Sequence, residues 1–171
     1  DGRWRGGLFH DGRAAGLEYQ AAGPPLNPIE MGMPDKAAVL DRLRENPAYL
    51  AAFPALFGAA VLDNPDPAYA AMTAAIAAYE RTAEFSPFDS RYDRFLRGEI
   101  DLTPEEELGR VLFFSQQFTN CARCHLLSDR ATDPRETFTD NRYHNIGVPE
   151  NTALPAQNGV AAGTVDKGLG G

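Results

Sequence analysis

The stretch Cys121-Ala-Arg-Cys124-His125 contains both cysteines of the 171-residue chain. Two thiols three residues apart can each form a thioether to a vinyl group of one haem, and the histidine that follows can then ligate its iron. The other readings of such a pair are a redox dithiol, half of a zinc site, or a disulfide. A thioredoxin-like dithiol follows a strand, whereas Glu105 to Phe114 has the pattern of a helix. Zinc needs two further ligands, and the remaining histidines, His10 and His144, do not stand at knuckle spacing. We therefore read Cys121, Cys124 and His125 as the attachment site of a covalent c-type haem, with His125 on the iron. That names a cofactor and leaves the reaction open, because haem serves electron transfer, oxygen chemistry and peroxide chemistry alike.

Immediately upstream, Thr103-Pro-Glu-Glu106 is a capping box with proline just inside the helix start. It predicts a helix from Pro104 to about Phe114 that buries Leu108, Val111 and Leu112. Downstream, Asp133-Pro134, Asn145, Gly147, Pro149, Pro155, Gly159 and the glycines from Gly168 predict a long, mostly irregular segment, which needs something besides its own hydrogen bonds to order it.

Farther from the cysteines, the first sixteen residues are rich in glycine and arginine and read as loop, with a backbone able to approach something closely. Leu17 to Ala22 suits one or two helical turns. Pro24, Pro25 and Pro28 then predict an extended segment that carries Glu30 between Ile29 and Met31. Pro34 and Asp35 open a short helix with Val39, Leu40 and Leu43 on its apolar face, ending near Asn46. From Pro47 the aromatic run Tyr49, Leu50, Phe53, Leu56, Phe57 reads as core, kinked or broken at Pro54. In Asn64-Pro-Asp-Pro67, Asp66 is the expected N-cap of a helix reaching about Phe85, with Tyr69, Met72, Ile76 and Tyr79 along one face. Tyr92, Phe95 and Leu96 mark a further short helix closed by Gly98. With no alternation strong enough for a sheet, the expected class is all-α, helices with long irregular loops around covalent haem.

A net charge of −8 and a pI near 4.8 argue against nucleic acid or an anionic membrane surface as partner, and favour a basic electron-transfer protein. No apolar run is long enough to form a transmembrane segment. Haem attachment of this kind takes place outside the bacterial cytoplasm, so the expected location is periplasmic. The iron also needs its opposite position settled, since a second protein ligand favours electron transfer and an open site admits peroxide. All three methionines, Met31, Met33 and Met72, precede the cysteines, whereas small mono-haem cytochromes c usually take theirs from well after the motif. His144 and Tyr143 follow it, and His144 equally suits a propionate or a carbonyl.

Several segments together resemble the bacterial di-haem cytochrome c peroxidases and their MauG-type relatives. They are Leu8-Phe-His-Asp-Gly-Arg-Ala14, Leu17-Glu-x-Gln20-Ala, Pro25-x-Asn-Pro-x-Glu-Met31, Gly109-Arg-x-Leu-Phe113, Cys121-x-x-Cys-His125, and Phe138-Thr-Asp with Tyr143-His-Asn-Ile-Gly-Val-Pro149. The resemblance implies a protein with two c-type haems, a peroxidatic one in a first cytochrome-like half and an electron-transfer one in a second. Residues 1–100 would be the remainder of the first half, lacking its attachment motif, and 101–171 the start of the second. The first motif would then lie ahead of Asp1 and the usual sixth-ligand position after Gly171. Gln20 and Glu30 match the family's distal glutamine and glutamate at the peroxide site, and so are the expected catalytic residues. His10, Arg13 and His144 are candidates for inter-haem or propionate contacts. His10 departs from the pattern, because the family usually has tryptophan there as an electron relay and imidazole is much harder to oxidise than indole. Trp4 is a replacement relay or a packing ring, and Asp11 with Arg13 reads as a structural turn.

The resemblance further implies hydrogen peroxide as substrate, with a small cytochrome c or cupredoxin as electron donor, or else MauG-like oxidation of a protein substrate. It leaves room for a bound Ca2+ and for a homodimer. Two readings from other classes stand beside it: a mono-haem electron carrier without catalysis, and a subunit or remnant that only binds a partner.

Overall fold

A computed structural model describes residues 7–10, 12–127, 137–140, 142, 144, 146, 147, 149, 153, 161 and 163. The described residues form six α-helices, two short 3-10 turns and one isolated antiparallel bridge between Leu8 and Ala14, so the all-α expectation is borne out. They divide into two compact units. One holds the described residues from 7 to 82 and those after 142; the other holds the described residues from 83 to 142.

In the first unit the bridge brings Leu8 and Ala14 side by side. A Cβ at Gly7 would lie 2.0 Å from the Gly12 carbonyl oxygen, so the close approach expected of this glycine-rich stretch is made to its own loop. Helix α1 (Leu17–Ala21) follows. The proline segment after it is not extended. Each proline sits second in a hydrogen-bonded turn, where its fixed φ is already correct. Leu26 N–H donates to Gly23 O, Asn27 N–H to Pro24 O, and Glu30 N–H to Asn27 O.

Helix α2 (Lys36–Arg44) is capped by Asp35, whose side chain accepts from Ala38 N–H at 2.8 Å. Helix α3 (Pro47–Phe57) continues through Pro54 instead of breaking there. The partner lost is the Leu50 carbonyl four residues back, on an exposed stretch where water can serve it. Only Phe53 of α3 is buried; Tyr49, Leu50, Leu56 and Phe57 are exposed, Leu56 by 74%, which corrects the reading of that run as core. Helix α4 (Pro65–Glu80) starts before Asp66: Asn64 is its N-cap, and Asp66, in the first turn, takes Lys36 Nζ at 2.6 Å. It stops at Glu80, short of the expected Phe85.

The core of this unit joins Leu40 and Leu43 of α2, Phe53 of α3, the linking residues Val61 and Leu62, and Ala68 and Ala71 of α4, with Met72 packed beside them. The buried side of α4 is Ala68, Tyr69, Ala71, Thr73 and Ala77, while Ile76 and Tyr79 are exposed. Small residues let α1 and α2 come close to α4, and that proximity sets the buried face more than residue bulk does. Tyr69 ties this core to the proline segment by donating its hydroxyl to Ala22 O at 2.6 Å, and burial pushes its phenol pKa up. Tyr69→Phe leaves that carbonyl unpaired and is expected to lower stability by about 0.5–1.5 kcal/mol, read as a lower urea midpoint at unchanged m.

The second unit begins with a 3-10 turn at Ala83–Phe85, then α5 (Arg91–Leu96) and α6 (Pro104–Phe114). Gly98, at φ 72°, ends α5: its N–H donates to Phe95 O at 2.8 Å and the Glu99 N–H to Arg94 O at 2.9 Å. Helix α6 carries the expected capping box at Thr103 and Glu106. Its apolar stripe is not buried as expected. Leu108 and Val111 are 59% and 51% exposed and Leu112 is exposed as well, because no described residue packs over that side.

Glu106 also takes a two-pronged ion pair from Arg91 at 2.7 and 2.9 Å. Arg91 first, and then the Thr103 N–H, lower its carboxyl pKa from 4.5 to about 2. A depressed carboxyl stabilises the fold above its ordinary pKa and loses that contribution as pH falls through the folded value. Stability should therefore decline between pH 4.5 and about 2 by an amount that Glu106→Gln removes. Thermal midpoints of both proteins across that range check this.

Candidate functional site

The cysteine stretch is presented by the end of α6. Ser115 leaves the helix in extended conformation, the Thr119 hydroxyl donates to Leu112 O, and Asn120 N–H closes back to Ser115 O at 2.9 Å. Asn120 takes the left-handed conformation, φ 53°, at modest cost for an asparagine. The chain then winds into the 3-10 turn Cys121–Arg123. Cys124 and His125 both donate their N–H groups to Cys121 O, at 3.2 and 3.0 Å. Side chains three apart on a 3-10 turn eclipse one another, so the thiols of Cys121 and Cys124 fall on the same side. Both are free; Cys121 is half-buried and Cys124 exposed.

His125 is exposed, and its Nδ1 lies 3.1 Å from the carbonyl oxygen of Phe138. A carbonyl only accepts, so Nδ1 carries the proton and Nε2 keeps its lone pair for a metal. The Phe113 ring centroid is 6.5 Å from that of His125 and 5.8 Å from that of Phe138. Beside this cluster is a cavity of about 300 Å³ lined by Arg91, Tyr92, Leu102, Glu106, Gly109, Arg110, Phe113, Phe114, Leu127 and Phe138. Arg110 is paired with Glu107 at 2.6 Å, which holds the Glu107 carboxyl below its usual range. The donor set fits covalent haem: two same-side free thiols, an imidazole with its tautomer fixed for ligation, and exposed apolar side chains nearby at Leu112, Phe118 and Leu126. Among the described residues no three His, Cys, Asp or Glu gather as a site for a bare metal ion.

The expected distal residues belong to the other unit. Gln20 is half-buried on α1, which Glu18 ties to Arg81 at 2.8 Å. Glu30 is exposed at the far end of the proline turns. Asn27 organises that end: its carbonyl accepts from the Glu30 and Gly32 N–H groups, its Oδ1 from Ile29 N–H, and its Nδ2 donates to Glu30 Oε1 at 3.1 Å. Carboxylate and amide thus sit at the two ends of one segment pinned by Tyr69.

His10 is exposed in the bridged turn, and the Arg13 guanidinium stacks 3.8 Å over Phe9. A Cβ at Gly23 would lie 3.4 Å from Phe9 Cζ, so the same ring joins that turn to the start of the proline segment. His144 is exposed and belongs to this unit, not to the one carrying His125. Trp4, Asp11 and Tyr143 lie outside the described residues. Sequence reasoning missed the Phe138 carbonyl and the Asn27 amide. Asn27-Pro28 was the available signal for the second, since asparagine before proline initiates such turns.

The sequence pattern of the di-haem cytochrome c peroxidase family matches residues 2–101. The methylamine utilization protein MauG of Paracoccus denitrificans is 51% identical over 169 residues, 99% of this chain and 43% of that protein. The cytochrome c peroxidase Ccp of Escherichia coli is 36% identical over 146 residues, 81% of this chain and 28% of that protein. The chain thus spans less than half the length of these relatives. A crystal structure of the diheme peroxidase BthA from Burkholderia thailandensis superposes with a TM-score of 0.79 at 41% identity, covering 88% of this chain and 37% of that one.

Proposed function

The chain belongs to the di-haem cytochrome c peroxidase family, and on that premise we propose that it is part of a periplasmic oxidoreductase that reduces hydrogen peroxide to water. Residues 1–100 complete the first, peroxidatic half, and 101–171 open the second. Cys121 and Cys124 tether one haem c through thioethers, His125 Nε2 ligates its iron, and a second haem c belongs to the first half of the full protein.

Haem, when bound, would pass on the donor's electrons and provide the centre at which the peroxide bond breaks. Glu30 takes the proton from one peroxide oxygen and returns it to the departing oxygen, while the Gln20 amide orients the pair. Two electrons and two protons convert each peroxide to two waters, the electrons coming from a small cytochrome c or cupredoxin suited to an acidic surface. His10, Arg13 and His144 are assigned to inter-haem or propionate contacts. Ca2+ binding and homodimer formation belong to the same reading.

The observation that carries this proposal is the arrangement at the cysteines, with both thiols on one turn and the His125 tautomer set by Phe138 O. Its test is haem content together with peroxide-dependent oxidation of a reduced small cytochrome by the full-length protein. Two covalent haems and turnover are expected; one haem and no turnover would leave an electron carrier. A second reading, MauG-like withdrawal of electrons from a protein substrate, is favoured by the higher identity to MauG than to Ccp. Turnover of peroxide that consumes a protein substrate but no donor cytochrome distinguishes it.

A further inference from the structure

Phe138 has a backbone that bulky residues avoid, φ 55°, and it is this residue whose carbonyl meets His125 Nδ1 at 3.1 Å. Such a conformation persists only where the surroundings over-determine it. Two rings lie against it. Tyr92, on α5, lies 5.8 Å from the Phe138 ring at 58°, and Phe113, on α6, lies 5.8 Å away at 77°, an edge-to-face contact. Phe113 also reaches the imidazole, 6.5 Å between centroids. Phe138 is 40% exposed, so general burial does not hold it.

We propose that Tyr92 and Phe113 form an aromatic clamp on Phe138 that aims its carbonyl at His125, making Tyr92 a positioning residue that tunes the iron ligand without touching it. This rests on the reading of Cys121, Cys124 and His125 as the haem site. The Nδ1–H···O bond makes the imidazole a stronger electron donor, which favours oxidised iron and lowers the reduction potential. Tyr92, on α5, stands before the cysteines with the whole of α6 between, so α5 acts on a cofactor site to which its sequence contributes no ligand.

The test uses the full-length haem-loaded protein and two readouts besides activity: the reduction potential of the haem on Cys121 and Cys124, and the solvent exchange of the His125 Nδ1 proton by NMR. Tyr92→Ala is expected to keep full covalent haem, raise the potential and speed the exchange. Tyr92→Phe, which keeps the ring, is expected to match the parent in both. Phe138→Gly tolerates the left-handed backbone yet removes the clamped ring, so it should shift both readouts in the direction of Tyr92→Ala. The Tyr92→Ala/Phe138→Gly double variant should go no further than the larger single change. Unchanged potential and exchange in Tyr92→Ala with haem intact, or an equal shift in Tyr92→Phe, would overturn the clamp. Absence of covalent haem in the parent protein would instead overturn the reading beneath it.

Discussion

Replacing Cys121 and Cys124 together with alanine is expected to abolish covalent haem. On denaturation in acid and organic solvent the pigment of the parent should stay with the polypeptide, and that of the variant should extract completely. The effect is all-or-none because the remaining attachment, one His125 nitrogen, is a coordinate bond that acid breaks by protonating the ligand. Single replacements should leave one thioether each, and with it pigment that resists extraction. His125→Ala should retain both thioethers while losing the axial nitrogen, which separates tether from ligand in one series. The 3-10 turn makes the two thiols near equivalents in direction, though Cys121 is half-buried and Cys124 exposed. Extraction of all pigment from the parent protein would refute the assignment of the whole stretch.

Glu30→Gln is expected to slow peroxide turnover by about 10²–10⁴-fold, the range for removing a positioned proton-transfer group. The substitution is narrow. Glutamine has the same reach, and its carbonyl oxygen can still accept from Asn27 Nδ2, so the proline turns keep their hydrogen bonds. Glu30 is exposed, and the exchange buries nothing and opens no cavity. Covalent haem and thermal midpoint should therefore match the parent, and only the proton function should be lost. A fall of less than about tenfold would remove Glu30 from the proton path.

Local structure was readable where it depends on backbone chemistry close in sequence. The capping box at Thr103 and Glu106, the Asp35 cap and the Gly98 stop all form where side-chain and dihedral preferences put them. Burial was read less well. The stripes Leu108-Val111-Leu112 and Tyr49-Leu50-Leu56-Phe57 are apolar at helical spacing yet exposed, because periodicity says that a face is apolar and not what covers it. On α4 the alanines, which carry little sequence signal, mark the buried side. At the cysteines, spacing identified the thiols and the imidazole, but the Phe138 carbonyl is a backbone group that no residue type announces. Asn27 was hidden differently: its side-chain amide serves Ile29 and Glu30 and its backbone carbonyl Glu30 and Gly32, a role that depends on which turns the prolines choose.

Those prolines bear on how the segment that carries Glu30 is made. Three pyrrolidine rings preset three of its torsions before any tertiary contact exists, so fewer alternatives are lost when it orders. Its curvature is written in covalent bonds and short-range hydrogen bonds, with Tyr69 anchoring one end. A segment built this way can hold a carboxylate out in water at a fixed pose while its buried Pro25 keeps the base in place.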